Sequence, residues 1–264
     1  MLEIKNLSKT FNPGTINAKL ALDGLSLTLN DGDCVTVIGG NGAGKSTMLN
    51  AIAGTWKPDE GHILIDGTDI TNMPEHKRAK FLGRVFQDPM MGTAADMEIQ
   101  ENLALAKRRG KRRGFAWGIT KKEKEEFAAK LAPLGLGLEK RLTSKVGLLS
   151  GGQRQAVTLI MASLNNPKLL LLDEHTAALD PKTAAKILEL TDQIVSEHKL
   201  TTLMVTHNMK DAIAHGNRLI MLNNGKVILD ISGEEKKNLT VEMLLEQFSK
   251  ASGSQFASDR ALLS

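Results

Sequence analysis

Nine residues, Gly39-Gly40-Asn41-Gly42-Ala43-Gly44-Lys45-Ser46-Thr47, constrain this chain more than any other stretch. They fit G-x-x-x-x-G-K-[ST]. The apolar run Cys34-Val35-Thr36-Val37-Ile38 precedes them as a buried strand, and Ser46 to Ala53 follows with Met48, Leu49, Ile52 and Ala53 at helical spacing. Glycines let backbone approach an anion that side chains would keep away, and the helix N-terminus adds further N–H donors. In such a loop Lys45 reaches the β- and γ-phosphates, and the Ser46 hydroxyl sits on Mg²⁺. The stretch therefore predicts a nucleoside-triphosphate site.

Around that loop the chain has room for one large α/β domain or two small ones, with 264 residues and 41% hydrophobic content. With 3% aromatic residues and no tyrosine, stacking on nucleic-acid bases has few candidates, and a net charge of +4 is too mild to call for a nucleic-acid partner. Cys34 is the only cysteine, so no internal disulfide or cysteine-based zinc site is expected, and a reducing cytoplasm fits. The first residues, MLEIKNLSK, do not resemble a signal peptide. No run of 18 apolar residues occurs, so any membrane connection is expected to run through a partner.

Short strands are expected at Leu2-Glu3-Ile4 and Leu25–Leu29, and a turn at Asn12-Pro13-Gly14 just after Phe11. A small hairpin turns at Asp66-Gly67, and Phe81 to Gln87 predicts a strand ending in Val85-Phe86-Gln87. From Ile99 to Pro133 the sequence becomes helical and charged. Six of the seven positions from Lys107 to Arg113 are cationic, and Phe127, Ala128 and Leu131 mark a buried face. The cluster fits a solvated loop, or contact with anionic headgroups or an acidic partner. Leu169–Asp173 is a central strand, 181–198 a helix capped by Asp180, and Thr202–Thr206 a strand followed by a helix from about Met209. Asn224-Gly225 turns a second hairpin, Val241–Phe248 forms a last helix, and 250–264 reads as a flexible tail after a domain spanning 1–249.

The loop alone leaves open kinases, GTPases, helicases and transport ATPases. Asp173-Glu174 ends an apolar strand, where an aspartate can hold Mg²⁺ and a glutamate can polarise water. Leu149-Ser150-Gly151-Gly152-Gln153 precedes an expected helix from Arg154 to Asn165, giving a second, lysine-free anion cradle in a Ser-Gly-Gly turn. Two copies placed head to tail would let each weak cradle complete the partner's strong one.

L-S-G-G-Q ahead of L-L-L-L-D-E, with a phosphate loop far upstream, resembles the ATP-binding subunit of ABC transporters over residues 2 to about 232. The resemblance implies an α/β phosphate-loop NTPase core of ABC type, with an antiparallel β subdomain and a helical insert over about 96–165. It implies a Mg²⁺-dependent ATPase in which Phe11 stacks on adenine and Gln87 contacts Mg²⁺ and the attacking water. Asp173 then holds Mg²⁺, Glu174 is catalytic, His207 contacts the γ-phosphate, and the Asp180 loop communicates across a homodimer. Ser150, Gly151, Gly152 and Gln153 act on the partner's ATP. Integral permease subunits, an extracytoplasmic solute-binding protein and a place at the cytoplasmic face of the membrane follow, with no nucleic acid. His175 replaces the proline usual after that glutamate, which raises the expectation of a His175-dependent pH profile. The Asp-Glu-His-Thr and Arg-Arg-Gly features resemble bacterial amino-acid uptake systems. The competing expectation is a soluble ABC ATPase acting on nucleic acid or ribosomes, for which the cation cluster speaks.

Overall fold

The computed structural model describes residues 1–111 and 118–252, with side chains as far as Lys250. Arg112, Arg113 and the tail from 253 lie outside the described residues. The strands are β1 (Leu2–Phe11), β2 (Lys19–Leu29), β3 (Cys34–Ile38), β4 (Glu60–Ile65), β5 (Thr68–Asp69), β6 (Leu82–Val85), β7 (Leu169–Asp173), β8 (Thr202–Val205), β9 (Arg218–Asn223) and β10 (Lys226–Ser232). The helices begin with α1 (Lys45–Ala53), α2 (Glu75–Arg78), α3 (Ile99–Lys107), α4 (Lys121–Leu131) and α5 (Gly151–Ser163). They continue with α6 (Pro181–His198), α7 (Met209–Ala214), α8 (Gly233–Lys237) and α9 (Val241–Ser252).

The described residues form two compact units: Met1–Arg78 together with 199–252, and Ala79–His198. In the first unit β2-β1-β4-β5 is an antiparallel sheet, much longer in β1 than the three residues that alternation marked. Register shifts along the β1–β2 pair break the strict alternation that sequence patterning looks for. A second ladder runs β10-β9-β3-β8, with β3 parallel to both β8 and β9 and fully buried along its length. Burial on both faces accounts for its unbroken apolar sequence. Asn224-Gly225 turns β9 into β10, both with φ near the left-handed region, as expected. Leu244 and Phe248 of α9 close a cluster with Ile38, Met209, Leu219 and Met221. This helix runs to Ser252, past the 250 boundary expected for the tail.

In the second unit β6 and β7 pair in parallel, Val85 opposite Leu172. The unit is wider than the expected helical insert, since it also takes in β6, β7 and α6. Thr120 and Glu123 form a capping box at the start of α4, whose Phe127 and Leu131 are fully buried while Ala128 is only half-buried. Burial of Phe127 alone contributes about 2–3 kcal/mol of hydrophobic stabilisation. Strand β6 stops at Val85, two residues short of expectation. Asp88 accepts from the Met90 N–H at 2.8 Å and turns the chain, with Pro89 between them unable to donate to a ladder.

Candidate functional site

In the first unit the Gly39–Thr47 loop joins β3 to α1. Gly39 has φ +151°, and a Cβ there would lie 2.3 Å from the Leu222 carbonyl oxygen. Gly44 has φ +103°, and its Cβ would lie 2.6 Å from the Ala21 carbonyl oxygen. Both obstacles are backbone and cannot swing away, so these two positions require glycine. The Ala43 N–H donates to the Gly40 carbonyl at 3.2 Å, and the Gly225 N–H donates to the Ala43 carbonyl at 3.0 Å. The β9–β10 turn thus braces the loop. Gly44 caps α1 without a side-chain acceptor, so the helix's first N–H groups suit an anion.

Lys45 is only 7% exposed, and its ammonium donates to the carbonyls of Gly39 at 2.6 Å and Gly40 at 3.2 Å. The loop holds the cation in place, which lowers the entropy lost when phosphate oxygens bind it. Ser46, Asn41 and Gly42 are exposed, and Thr47 is half-buried. Phe11 ends β1 half-buried, with its ring edge-on to Trp56 at 5.2 Å and 82°. Trp56 escaped the sequence reading, although it is one of only two tryptophans and directly follows the α1 C-cap region. His207 is exposed one residue beyond Thr206, whose N–H still donates to Val37 in β3 at 3.1 Å.

Arg78 is a second residue that the sequence reading missed. Its guanidinium is 1% exposed and donates to Ala51 at 2.6 Å, Ile52 at 2.8 Å, Thr71 at 2.8 Å and Met73 at 2.7 Å, all through their carbonyls. Two of these belong to the last turn of α1, so a cation sits at the negative end of the helix that carries the phosphate loop. Desolvation by burial lowers its pKa from the ordinary arginine value. No local pattern announces it, because α1 and α2 are far apart in sequence.

In the second unit β7 ends on Asp173. Arg84 stands opposite Leu171 in β6, on the side of the sheet that Asp173 also faces two residues on, and its Nη2 lies 3.4 Å from the carboxylate. The Arg84 guanidinium covers the Phe86 ring at 4.5 Å. Glu174 follows in the left-handed region at φ +44°. Gln87 is exposed beyond the end of β6, and the Phe86 carbonyl before it accepts from Gln155 at 3.5 Å. Asp180 accepts from the Thr183 N–H at 3.1 Å and caps α6 as expected; hydrogen bonding from the Thr183 side chain first, and then from its N–H, holds the Asp180 pKa below the usual carboxylate value. His175 is buried, not open to solvent, and its Nε2 lies 3.1 Å from the Thr191 hydroxyl.

The expected Ser-Gly-Gly turn is in fact the first turn of α5, which begins at Gly151 and not at Arg154. Ser150 is its N-cap: the hydroxyl accepts from the Gln153 N–H at 3.3 Å, and the Gln153 side chain accepts from the Ser150 N–H at 3.2 Å. S-x-x-Q is a capping-box signature, so this start was available in the sequence. A Cβ on Gly152 would lie 2.3 Å from Cγ2 of Thr183, so α5 meets α6 closely there.

Among the described residues of the 107–113 cluster, Lys107, Arg108 and Arg109 are engaged within the unit. Lys107 pairs with Glu126 at 2.6 Å, Arg108 with Glu123 at 3.1 Å, and Arg109 donates to the Ala162 carbonyl at 3.2 Å. Burial lowers the Arg109 pKa, and backbone bonding at Thr120, ahead of the two cations, lowers that of Glu123.

A glycine-built, lysine-bearing loop between a buried parallel strand and a helix has the geometry of an α/β phosphate-loop NTPase, and the Leu149–Gln153 sequence resembles the signature of ATP-binding cassettes. The family model described as ABC transporter matches residues 22–177. The chain belongs to that family and is an ATP-binding, ATP-hydrolysing subunit. It is 51% identical over 251 residues to the tyrosine transport ATP-binding protein of Clostridioides difficile, covering 95% of this chain and 100% of the relative. The methionine import ATP-binding protein MetN of Bartonella henselae is 33% identical over 92% of this chain and 70% of its own length. Among solved structures, a dimeric post-hydrolysis ATP-binding cassette bound to ADP and Pi matches with TM-score 0.74 and 31% identity, over 88% of this chain and 98% of that one. The ADP conformation of another ABC transporter cassette matches with TM-score 0.76 and 30% identity, over 94% and 98%.

Proposed function

We propose that this chain powers a bacterial importer of amino acids, aromatic ones first. The observation that carries the substrate class is the end-to-end likeness to a tyrosine transport protein, supported by the methionine importer at lower identity. Two copies bind head to tail at the cytoplasmic face of the membrane and close on ATP. Permease subunits turn that closure into a change of access, and an extracytoplasmic solute-binding protein delivers the solute. Among the described residues no helix is long and apolar enough to cross a membrane, which is consistent with attachment through partners.

Within each copy Phe11 stacks on adenine. The backbone of Gly39 to Gly44 and the Lys45 ammonium hold the phosphates, and Thr47 supports the α1 end of the loop. Glu174 polarises the attacking water, Gln87 orients it, and His207 donates to the γ-phosphate. Ser150 to Gln153 and Asp180 act from the partner copy. Among the described residues no three His, Cys, Asp or Glu side chains form a metal cage, and the oxygen donors of Ser46, Asp173 and Gln87 suit an ion held largely by water and phosphate. When bound, Mg²⁺ supplies charge neutralisation on the β- and γ-phosphates. The test is uptake of labelled tyrosine by proteoliposomes containing this subunit and its permease. ATP-dependent tyrosine uptake, lost in Glu174→Gln, is expected. Uptake competed by spermidine or methionine but not by aromatic amino acids would refute the substrate class.

A further inference from the structure

Glu174 carries the most demanding backbone at the proposed hydrolytic site, since φ +44° places a non-glycine residue in the left-handed region. That conformation is unfavourable for a residue with a side chain unless neighbours hold it. The bonds along the following loop are mostly local. The Ala177 N–H donates to Glu174 at 3.0 Å, the Leu179 N–H to Thr176 at 3.1 Å, and Asp180 caps α6. His175 reaches further. Its ring is 2% exposed, and Nε2 lies 3.1 Å from the hydroxyl of Thr191, on the buried face of α6 beside Ile187, Leu188 and Ile194.

The proton bookkeeping at Thr191 fixes the direction of that bond. The hydroxyl lies 2.8 Å from the Ile187 carbonyl, which can only accept, so the single hydroxyl proton is used there. Thr191 Oγ1 therefore accepts from His175, and the imidazole carries its proton on Nε2. The result is a directed bond from the residue after Glu174 to the middle of an 18-residue helix. A proline at this position would restrict the backbone covalently. Here a hydrogen bond to α6 does so instead.

We propose that His175 and Thr191 are positioning residues for Glu174: their hydrogen bond fixes the backbone immediately after the glutamate and so holds its carboxylate in the orientation that activates water. The inference rests on the reading of Glu174 as the water-polarising residue, and the test separates the two. Steady-state ATP hydrolysis and ATP affinity are measured on the full chain for wild type, Glu174→Gln, Thr191→Val and Thr191→Ser. Thr191→Val keeps the side chain's shape but removes the acceptor, and kcat is expected to fall about tenfold with KM within about twofold, as for a misplaced catalytic group. Thr191→Ser keeps the hydroxyl and is expected to restore kcat to within about twofold of wild type. A merely structural role for Thr191 would not be rescued selectively in kcat.

Full turnover in Thr191→Val, or equal loss in Val and Ser, overturns the inference, as does a rise in KM matching the fall in kcat. If Glu174→Gln is inactive while Thr191→Val is fully active, only the positioning claim fails. If Glu174→Gln retains turnover, the reading of Glu174 fails and the positioning claim with it. Should Thr191→Val not fold, His175→Gln and His175→Met give the same comparison, because Gln keeps a donor near the Nε2 position and Met does not. Gln active with Met impaired supports the bond; both alike refutes it.

Discussion

Gly152→Ala tests how closely the Ser150–Gln153 cap is fitted to α6. The added Cβ would lie 2.3 Å from Cγ2 of Thr183, with Thr183 Cβ at 3.7 Å and Oγ1 at 4.0 Å. Comfortable carbon–carbon contact begins at about 3.5 Å, so the two helices must part by about 1.2 Å or the threonine must leave its rotamer. Overpacking of this kind costs about 1–3 kcal/mol. The obstacle is one methyl group, so Thr183→Ser in the same chain should relieve it; the remaining neighbours are at ordinary distances, and the Thr183 N–H bond to Asp180 survives. Thr183→Ser alone should cost under about 1 kcal/mol, since the side chain is half-buried. Urea unfolding of wild type, both single variants and the double variant forms a cycle, with an expected coupling of about 1–2 kcal/mol in favour of the double variant. A Gly152→Ala chain as stable as wild type, or additive losses in the double variant, would refute the packing argument. Hydrolysis read alongside separates packing from nucleotide contact: if the glycine also gives room to the partner's ATP, Thr183→Ser restores stability but not turnover.

Lys45→Ala should weaken ATP binding at least about a hundredfold in calorimetry, because the loop loses the cation it holds ready; unchanged affinity would contradict the assignment of the loop. Arg78→Met should destabilise the chain on the order of 3 kcal/mol in urea by stranding carbonyls of α1, and Arg78→Lys should recover less than half of that, since one ammonium cannot replace the planar fork. The pKa of Asp59 is lowered, first by its bond to Lys9 and then by the Thr10 N–H. Its contribution is present above the unfolded carboxylate pKa and lost as pH falls through the folded value. The side chain is about half exposed, so Asp59→Asn should cost well under about 1 kcal/mol at pH 7, and the difference in urea midpoint from wild type should shrink as pH falls below the ordinary carboxylate range.

The parts that the sequence announced are those written in local, periodic code. The glycines of the phosphate loop, the unbroken apolar runs of β3 and β7, the Pro181 start of α6 and the Asn224-Gly225 turn each express their structure within a few residues. The misses have equally physical causes. Val85-Phe86-Gln87 looks like a strand end, but Asp88 and Pro89 stop the ladder at Val85. The α5 start was misplaced because glycines suggested a turn, while the Ser150–Gln153 capping box draws them into the helix. Arg78 under α1 and Thr191 behind His175 could not be read at all, since each acts across a tertiary contact that neither partner's neighbourhood encodes. Likewise the cations at 107–109 look like a binding patch until Glu123, Glu126 and the Ala162 carbonyl are seen to engage them.

The central claim is that each ATP is hydrolysed between the Lys45 loop of one copy and the Ser150 cap of another. Mixing two inactive proteins tests it most directly. Lys45→Ala is expected to disable the strong cradle, and Ser150→Arg to block the weak one while leaving ATP binding by the single chain largely intact. In a head-to-tail pair of the two variants, one site carries both defects and the other carries neither. An equimolar mixture should therefore recover up to about a quarter of wild-type turnover, half of the pairs being mixed with one sound site of two. Hydrolysis no greater than the sum of the separate variants, under conditions where mixed pairs form, would contradict a shared site.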